Sequence, residues 1–190
     1  MIIVICGKSA SGKDSLFKEL VKDGYTPLIS TTSRPMRVGE ENGREYYFIS
    51  KEEFEEKLRD NKFIEYRTYN TLVNNVPDTW FYGMEKQDLD PDKNYIVILD
   101  LQGAAAFKEI YGDQVRVVYI KVSNLQRTAW AMSRGSFDET EWRRRLKDDN
   151  IKFSSDKINT HCDYVIRNVG TINELKEKFN NIVLDIQMQM

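Results

Sequence analysis

The sequence predicts an α/β domain, a parallel sheet core with a phosphate-binding loop, flanked by helices and carrying two polar insertions. Three observations predict it. The runs "MIIVIC", "YIVILDL" and "VRVVYIKV" are continuously apolar, as strands buried on both faces are. Segments of helical spacing alternate with them, the pattern of βαβ units. Between the first strand and the first helix stands "GKSASGKDS", a glycine-rich loop ending in lysine.

Taken in order, "MIIVIC" is a strand that Gly7 ends. "DSLFKELVKDG" spaces Leu16, Phe17, Leu20 and Val21 along one helix face and stops at Gly24. Residues 30–88 are too polar for the core and read as an insertion. Within it "SKEEFEEKLRDN" starts with Ser50 and places Glu53 three residues on, a capping box for a short helix. The strands "YIVILDL" and "VRVVYIKV" follow. A second polar insertion, 124–152, reads as the helices "SNLQRTAWAMSRG" and "DETEWRRRLKDDNIKF". "CDYVIRN" is the last strand and "TINELKEKFNNIVLDIQMQM" the closing helix. The core is then 1–29, 89–123 and 153–190, with no internal repeat and no low-complexity linker.

Composition narrows the function classes. At 190 residues with a net charge of −2, the chain lacks the basic surplus of a general nucleic-acid binder. No apolar run is long enough to cross a membrane, and the first strand lacks the basic flank of a secretory signal. A cytoplasmic setting is expected, with no nucleic acid or membrane partner. The two cysteines read as reduced thiols, and a single histidine cannot build a metal cluster.

The loop Gly7, Lys8, Ser9, Ala10, Ser11, Gly12, Lys13, Asp14 and Ser15 is where the chemistry starts. Its backbone N–H groups and the following helix N-terminus suit phosphate oxygens, and Lys13 adds a point charge. The motif asks for Ser or Thr after the lysine as a magnesium ligand; here Asp14 stands there. A carboxylate is also a hard oxygen ligand, acting directly or through water, and Ser15 is the second candidate. A further anion site is suggested by "STTSRPMRVGEENGREYYF", where Arg34, Arg37 and Arg44 lie among hydroxyls before two tyrosines. Arginine grips phosphate with two parallel hydrogen bonds, so an acceptor that carries phosphate is indicated. A charged surface loop is the alternative.

Across residues 30–48 this stretch resembles the acceptor site of the guanylate kinase family, S-x-T-T-R-x-P-R-x-G-E-x-x-G-x-x-Y-x-F, with the proline displaced by one position. The resemblance implies that Ser30, Arg34, Arg37 and Tyr46 contact GMP. It implies that Glu65 of "NKFIEY" holds the guanine, and that Tyr82 of "WFYGM" binds the acceptor phosphate. "YIVILDLQG" is similar to the family's L-D-x-D-x-Q-G strand but two residues shorter, leaving Asp100 a base-side or metal-side role. "SRG…RRRL" is similar to the lid, implying Arg134 and Arg145 as catalytic arginines with Lys13, and "HCDYVIRN" implies Asn168 beside the donor adenine. Residues 30–88 are then the acceptor-binding region and 124–152 a helical lid. The implied reaction is ATP- and Mg²⁺-dependent phosphorylation of GMP or dGMP by a monomer or homodimer whose partners are small nucleotides. A P-loop kinase for another deoxynucleotide or a sugar phosphate, and a non-catalytic scaffold, are the competing readings. The chain departs from the family at Asp14, at Met84 in place of a base-contacting serine, in the longer segment 66–81, and at Trp130 in place of a lid arginine.

Overall fold

The computed structural model describes residues 1–73, 76–133 and 137–189. In chain order its elements are β1 (Ile2–Gly7), α1 (Lys13–Lys22), β2 (Thr26–Pro27), β3 (Thr31–Thr32) and β4 (Tyr47–Phe48). Next come α2 (Lys51–Arg59), β5 (Phe63–Val73), β6 (Val76–Glu85), β7 (Tyr95–Ile98) and α3 (Leu101–Tyr111). After a 3₁₀ turn at Gly112–Gln114 follow β8 (Val115–Lys121), α4 (Asn124–Met132) and α5 (Glu139–Lys152). The chain closes with α6 (Ser155–His161), β9 (Tyr164–Arg167) and α7 (Ile172–Gln189). No described helix is long and apolar enough to cross a membrane.

The chain divides into two units, Met1–Pro27 with Asp92–Met190, and Leu28–Pro91. The first is the predicted parallel sheet flanked by helices. Its strands run in the order β2-β7-β1-β8-β9, every pair parallel. All six residues of β1 are buried, which is why the run is apolar without alternation. Leu16 and Leu20 from α1 and Leu175, Phe179 and Ile186 from α7 join Ile3, Ile5, Ile96, Val118 and Ile120 in one core cluster. Each such side chain, fully buried, contributes about 1.5–3 kcal/mol.

The run "YIVILDL" read as one strand, but β7 ends at Ile98. Asp100 takes an extended N-cap conformation, and its carboxylate accepts the Gly103 N–H at 2.9 Å. That cap starts α3, a helix the apolar run concealed; α3 buries Leu101, Ala104 and Phe107.

Cys6 is buried and Cys162 half-buried, both as free thiols. Burial, with the neighbouring Asp163 charge, pushes the Cys162 thiol up to about 12. At pH 8 only roughly one part in ten thousand is then the reactive thiolate. Iodoacetamide is expected to label the native protein far more slowly than the denatured chain. Rapid native labelling at Cys162, read by peptide mass spectrometry, would contradict this.

In the second unit the strand order is β4-β3-β6-β5; β3 and β4 are parallel, and β6 runs antiparallel to both β3 and β5. The capping box forms as expected: Glu53 N–H donates to Ser50 Oγ at 3.1 Å and Ser50 N–H to Glu53 at 2.9 Å. It aligns α2 so that Phe54, fully buried, stacks on Phe63 (4.3 Å between centroids) and Phe81 (5.2 Å). Gly83 is needed beneath them, since a Cβ there would come within 2.7 Å of the Phe63 ring. Of the segment 66–81, which reads as a long connection, residues 66–73 lie in β5 and 76–81 in β6, paired with each other.

One irregularity of that pairing decides the site. Phe63 pairs with Glu85, but Glu65 pairs with Met84, so two residues of β5 answer one of β6. Such a bulge turns the strand over. Phe63 thus lies on the α2 side with Phe81 and Gly83, while Glu65, Arg67 and Tyr69 share the opposite face with Met84, Tyr82 and Trp80.

Candidate active site

In the first unit the loop between β1 and α1 is shaped for an anion. Ala10 and Gly12 both have positive φ, 57° and 91°, and α1 starts with no side chain capping its N–H groups. A helix N-terminus left this way is a ready phosphate site. Lys13 is the first helical residue, with Nζ 3.5 Å from the Asp14 carboxylate. Asp14 and Ser15 are exposed on the same turn. Gly12 is required twice over, by its φ and because a Cβ would lie 2.7 Å from Asn168 Nδ2.

Asn168, Ser9 and Lys8, all of the expected nucleotide set, are held by other parts of this unit. Asn168 is buried and its amide donates to the Ser11 carbonyl at 2.9 Å, bracing the loop. Ser9 N–H donates to Asp149 at 2.9 Å, and Lys8 Nζ donates to Asn150 at 2.7 Å. Ser11 is fully buried, and its Oγ has no hydrogen-bond partner among the described residues. Beside the loop lies a cavity of about 250 Å³ lined by Gly12, Ser15, Trp130, Asn168, Ile172 and Leu175. An indole, two aliphatic side chains and a backbone brace are a wall suited to a flat purine.

Asp149 belongs to a network that the sequence reading missed. Arg127, fully buried, donates to Asp149 at 2.7 Å, to the Ser9 carbonyl at 2.8 Å and to Asn124 at 2.8 Å. Its guanidinium also lies 5.7 Å from the Trp142 ring centroid. The network ties α4 and α5 to the phosphate loop. Arg145, on α5, is exposed and held by Glu141 at 2.8 Å. The hydrogen bonds of Arg144 and Arg145 hold the Glu141 carboxyl down at about 2. Arg134 lies outside the described residues. Asp100 is in this unit too, at the carboxyl end of β7, whose neighbour is β1.

The second unit gathers most of the expected acceptor residues. The Arg34 guanidinium lies 5.6 Å from the Tyr46 ring centroid, and the Tyr46 and Tyr82 rings are 5.8 Å apart. Arg34 is buried; its Nη2 donates to both Glu40 carboxylate oxygens, at 2.8 and 3.0 Å, and its Nη1 to the Pro35 carbonyl at 2.7 Å, while the Glu40 carboxylate also accepts the Arg37 N–H at 2.8 Å. Those bonds hold the Glu40 carboxyl below the usual range. Arg37 projects into solvent. Burial raises the Tyr82 phenol, partly offset by Arg34 and Arg37, so it remains an O–H donor at neutral pH. Ser30 contributes its carbonyl, which accepts the Tyr47 N–H at 2.9 Å. Arg44 is bound instead to Glu41 and Glu45, each at 2.6 Å. A cavity of about 380 Å³ lies on the α2 side, lined by Thr31, Tyr47, Lys57 and Glu85. There Lys57 is paired with Glu85 at 2.6 Å, and Lys86 donates to the Asn61 carbonyl at 2.8 Å.

The guanylate kinase family model matches residues 1–186. The chain belongs to the guanylate kinase family. It is 36% identical over 149 residues to a guanylate kinase of Francisella tularensis subsp. holarctica (strain LVS), covering 74% of each chain. It is 32% identical over 186 residues to a guanylate kinase of Mycoplasma genitalium, covering 92% of this chain and 73% of that one. A crystal structure of guanylate kinase from Anaplasma phagocytophilum shares the fold, with a TM-score of 0.68 at 24% identity over 99% of this chain and 86% of that one.

As a member of that family the chain is a nucleoside monophosphate kinase, a phosphotransferase. Within the guanylate kinase frame, Glu40 and the Arg127–Asp149 pair stand out as residues missed from sequence. Glu40 sits in the "VGEENG" run, where nothing local sets it apart from its neighbouring charges. Arg127 and Asp149 are far apart in sequence, and nothing local shows that they meet.

Proposed function

We propose that this chain transfers the terminal phosphoryl group of ATP to GMP and dGMP in a cytoplasmic setting. The observation that carries the reading is the face shared by Glu65 and Tyr82, with Tyr46 and Arg34 beside it, in a chain that also has the glycine loop. Tyr46, Tyr82 and the exposed Arg37 grip the acceptor phosphate, while Arg34, kept in place by Glu40, adds fixed positive charge. Glu65, with its side chain 12% exposed, accepts from the ring N–H and amino group of guanine. Adenine lacks that donor pair.

On the donor side, the N–H groups at the start of α1 and the Lys13 ammonium neutralise the polyphosphate. Purine stacking falls to Trp130, with Asn168 holding the loop behind it. Catalysis of this kind rests on positioning and charge stabilisation, since phosphoryl transfer needs little covalent help. Arg134 and Arg145 are assigned to the transferring group and to the exclusion of water. Asp14, Ser15 and Asp100 are hard oxygen ligands, the set that fits Mg²⁺ shared with phosphates and water. No cluster of three carboxylate, histidine or cysteine ligands exists among the described residues, in keeping with a cation that arrives with its nucleotide. When bound, Mg²⁺ would supply charge neutralisation of the donor phosphates.

The test is ADP release across the common ribo- and deoxyribonucleoside monophosphates. GMP and dGMP should be accepted, IMP weaker for want of the amino group, and AMP very poor. Losing a hydrogen bond to a buried charged group costs roughly 10- to 100-fold, and Glu65→Gln should erase much of the GMP preference by that amount. If dTMP or dCMP outperforms GMP, the acceptor is a different monophosphate and the guanine assignment fails.

A further inference from the structure

The face that carries Glu65 holds a second charged side chain, Arg67. Arg67 stands two residues after Glu65, beyond the bulge, so both project from β5 on one side of the sheet. An Arg67 guanidinium nitrogen lies 3.1 Å from Glu65 Oε2. That nitrogen also donates to the Tyr66 carbonyl at 2.7 Å, which fixes its position along the strand. The Arg67 side chain is 38% exposed and that of Glu65 12%, so the pair forms a step from a half-sheltered cation to a sheltered anion.

We infer that Arg67 is a second base-reading residue, donating to O6 of guanine while Glu65 accepts from N1–H and the 2-amino group. The inference rests on GMP being the acceptor. Guanine presents donor, donor, acceptor along its edge, with the N7 acceptor beyond O6. Glu65 followed by Arg67 presents acceptor, acceptor, donor, the complement of that edge. Arginine's planar fork is also the side chain that pairs best with the O6 and N7 acceptors. Adenine is opposed at both points: its N1 acceptor would face the carboxylate and its 6-amino donor would face the guanidinium. Met84, directly across from Glu65 and fully buried, carries a thioether with no donor. Met84 supplies no donor for O6, whereas Arg67 on the same face can. The bland reading is a strand-surface ion pair that only steadies Glu65, and it predicts a different pattern.

The experiment compares wild type with Arg67→Met, which keeps the stem and removes the donors, and with Arg67→Lys, which keeps charge but not the fork. The probes are GMP, IMP, which lacks the 2-amino group, and 6-thio-GMP, which replaces O6 by a weak acceptor. In Arg67→Met the KM for GMP should rise about 10-fold or more. The preference for GMP over 6-thio-GMP should fall towards one, and the preference for GMP over IMP should hold. Arg67→Lys should fall between. An unchanged GMP to 6-thio-GMP ratio in Arg67→Met overturns the inference, as does a loss confined to the GMP to IMP ratio, which would make Arg67 a brace for Glu65. Failure of wild type to turn over GMP would overturn the acceptor assignment itself and is read before any variant.

Discussion

Lys13→Ala is expected to lower kcat on the order of 10²–10³-fold at saturating ATP and Mg²⁺ while leaving the thermal midpoint nearly unchanged. That loss corresponds to about 2.7–4 kcal/mol of transition-state stabilisation. The Lys13 stem is largely sheltered, but its Nζ has only a 3.5 Å approach to Asp14, a contact of little structural worth. Alanine is the best helix former, so the first position of α1 loses nothing in propensity. Binding charge and folding energy are therefore separable at this residue. Steady-state kinetics with a thermal melt on the same preparation checks both. Activity near wild type would remove the glycine loop from the mechanism.

The largest expected stability effect lies at the Arg127–Asp149 pair. Arg127 is fully buried, and among the described residues its Nε–H lacks a partner, so the arginine depends on Asp149, Asn124 and the Ser9 carbonyl. Removing one member of a buried pair strands the other charge, which costs about 3–5 kcal/mol. For a chain of this size each kcal/mol lowers Tm by roughly 2–4 °C, so Asp149→Asn or Arg127→Met should lower it by roughly 6–20 °C. Because Asp149 also accepts the Ser9 N–H, the same variants should raise the KM for ATP by loosening the loop. Arg127→Met combined with Asp149→Leu should recover much of the stability, since no charge is left unpaired. It should not recover the ATP affinity, because Ser9 stays untethered. A loss below about 1 kcal/mol in the single variants would mean that water reaches the pair in solution.

Much of the fold was legible because its signals are local. The apolar runs of β1 and β8, the glycine spacing before α1 and the Ser50–Glu53 box each depend on a few neighbouring residues. α3 was missed for the same reason: its start is set by Asp100, which the strand reading had absorbed. β5 and β6 were missed because 66–81 reads as a lengthened connection, although their β-branched and aromatic residues alternate with polar ones as half-exposed strands do.

The candidate site divides along the same line. Arg34, Arg37, Tyr46 and the loop Gly7–Lys13 could be named from sequence, since anion binding needs particular residue types at close spacing. The partners that hold them could not: Glu40 on Nη2 of Arg34, Asn168 behind Ser11, and Asp149 on Ser9.

By itself, then, the sequence determined the parallel core, the glycine loop, the arginines proposed for the acceptor phosphate and the family. Only the tertiary structure decided which way Glu65 points and what stands beside it. Unbroken alternation would put Glu65 on the same side as Phe63, against α2. The extra residue in β5 reverses that side, and brings Glu65 and Arg67 onto the face of Tyr82 and Met84. A bulge is a choice of pairing register between two strands, and register is settled by what each face buries, here Phe54, Phe63 and Phe81 on the other side.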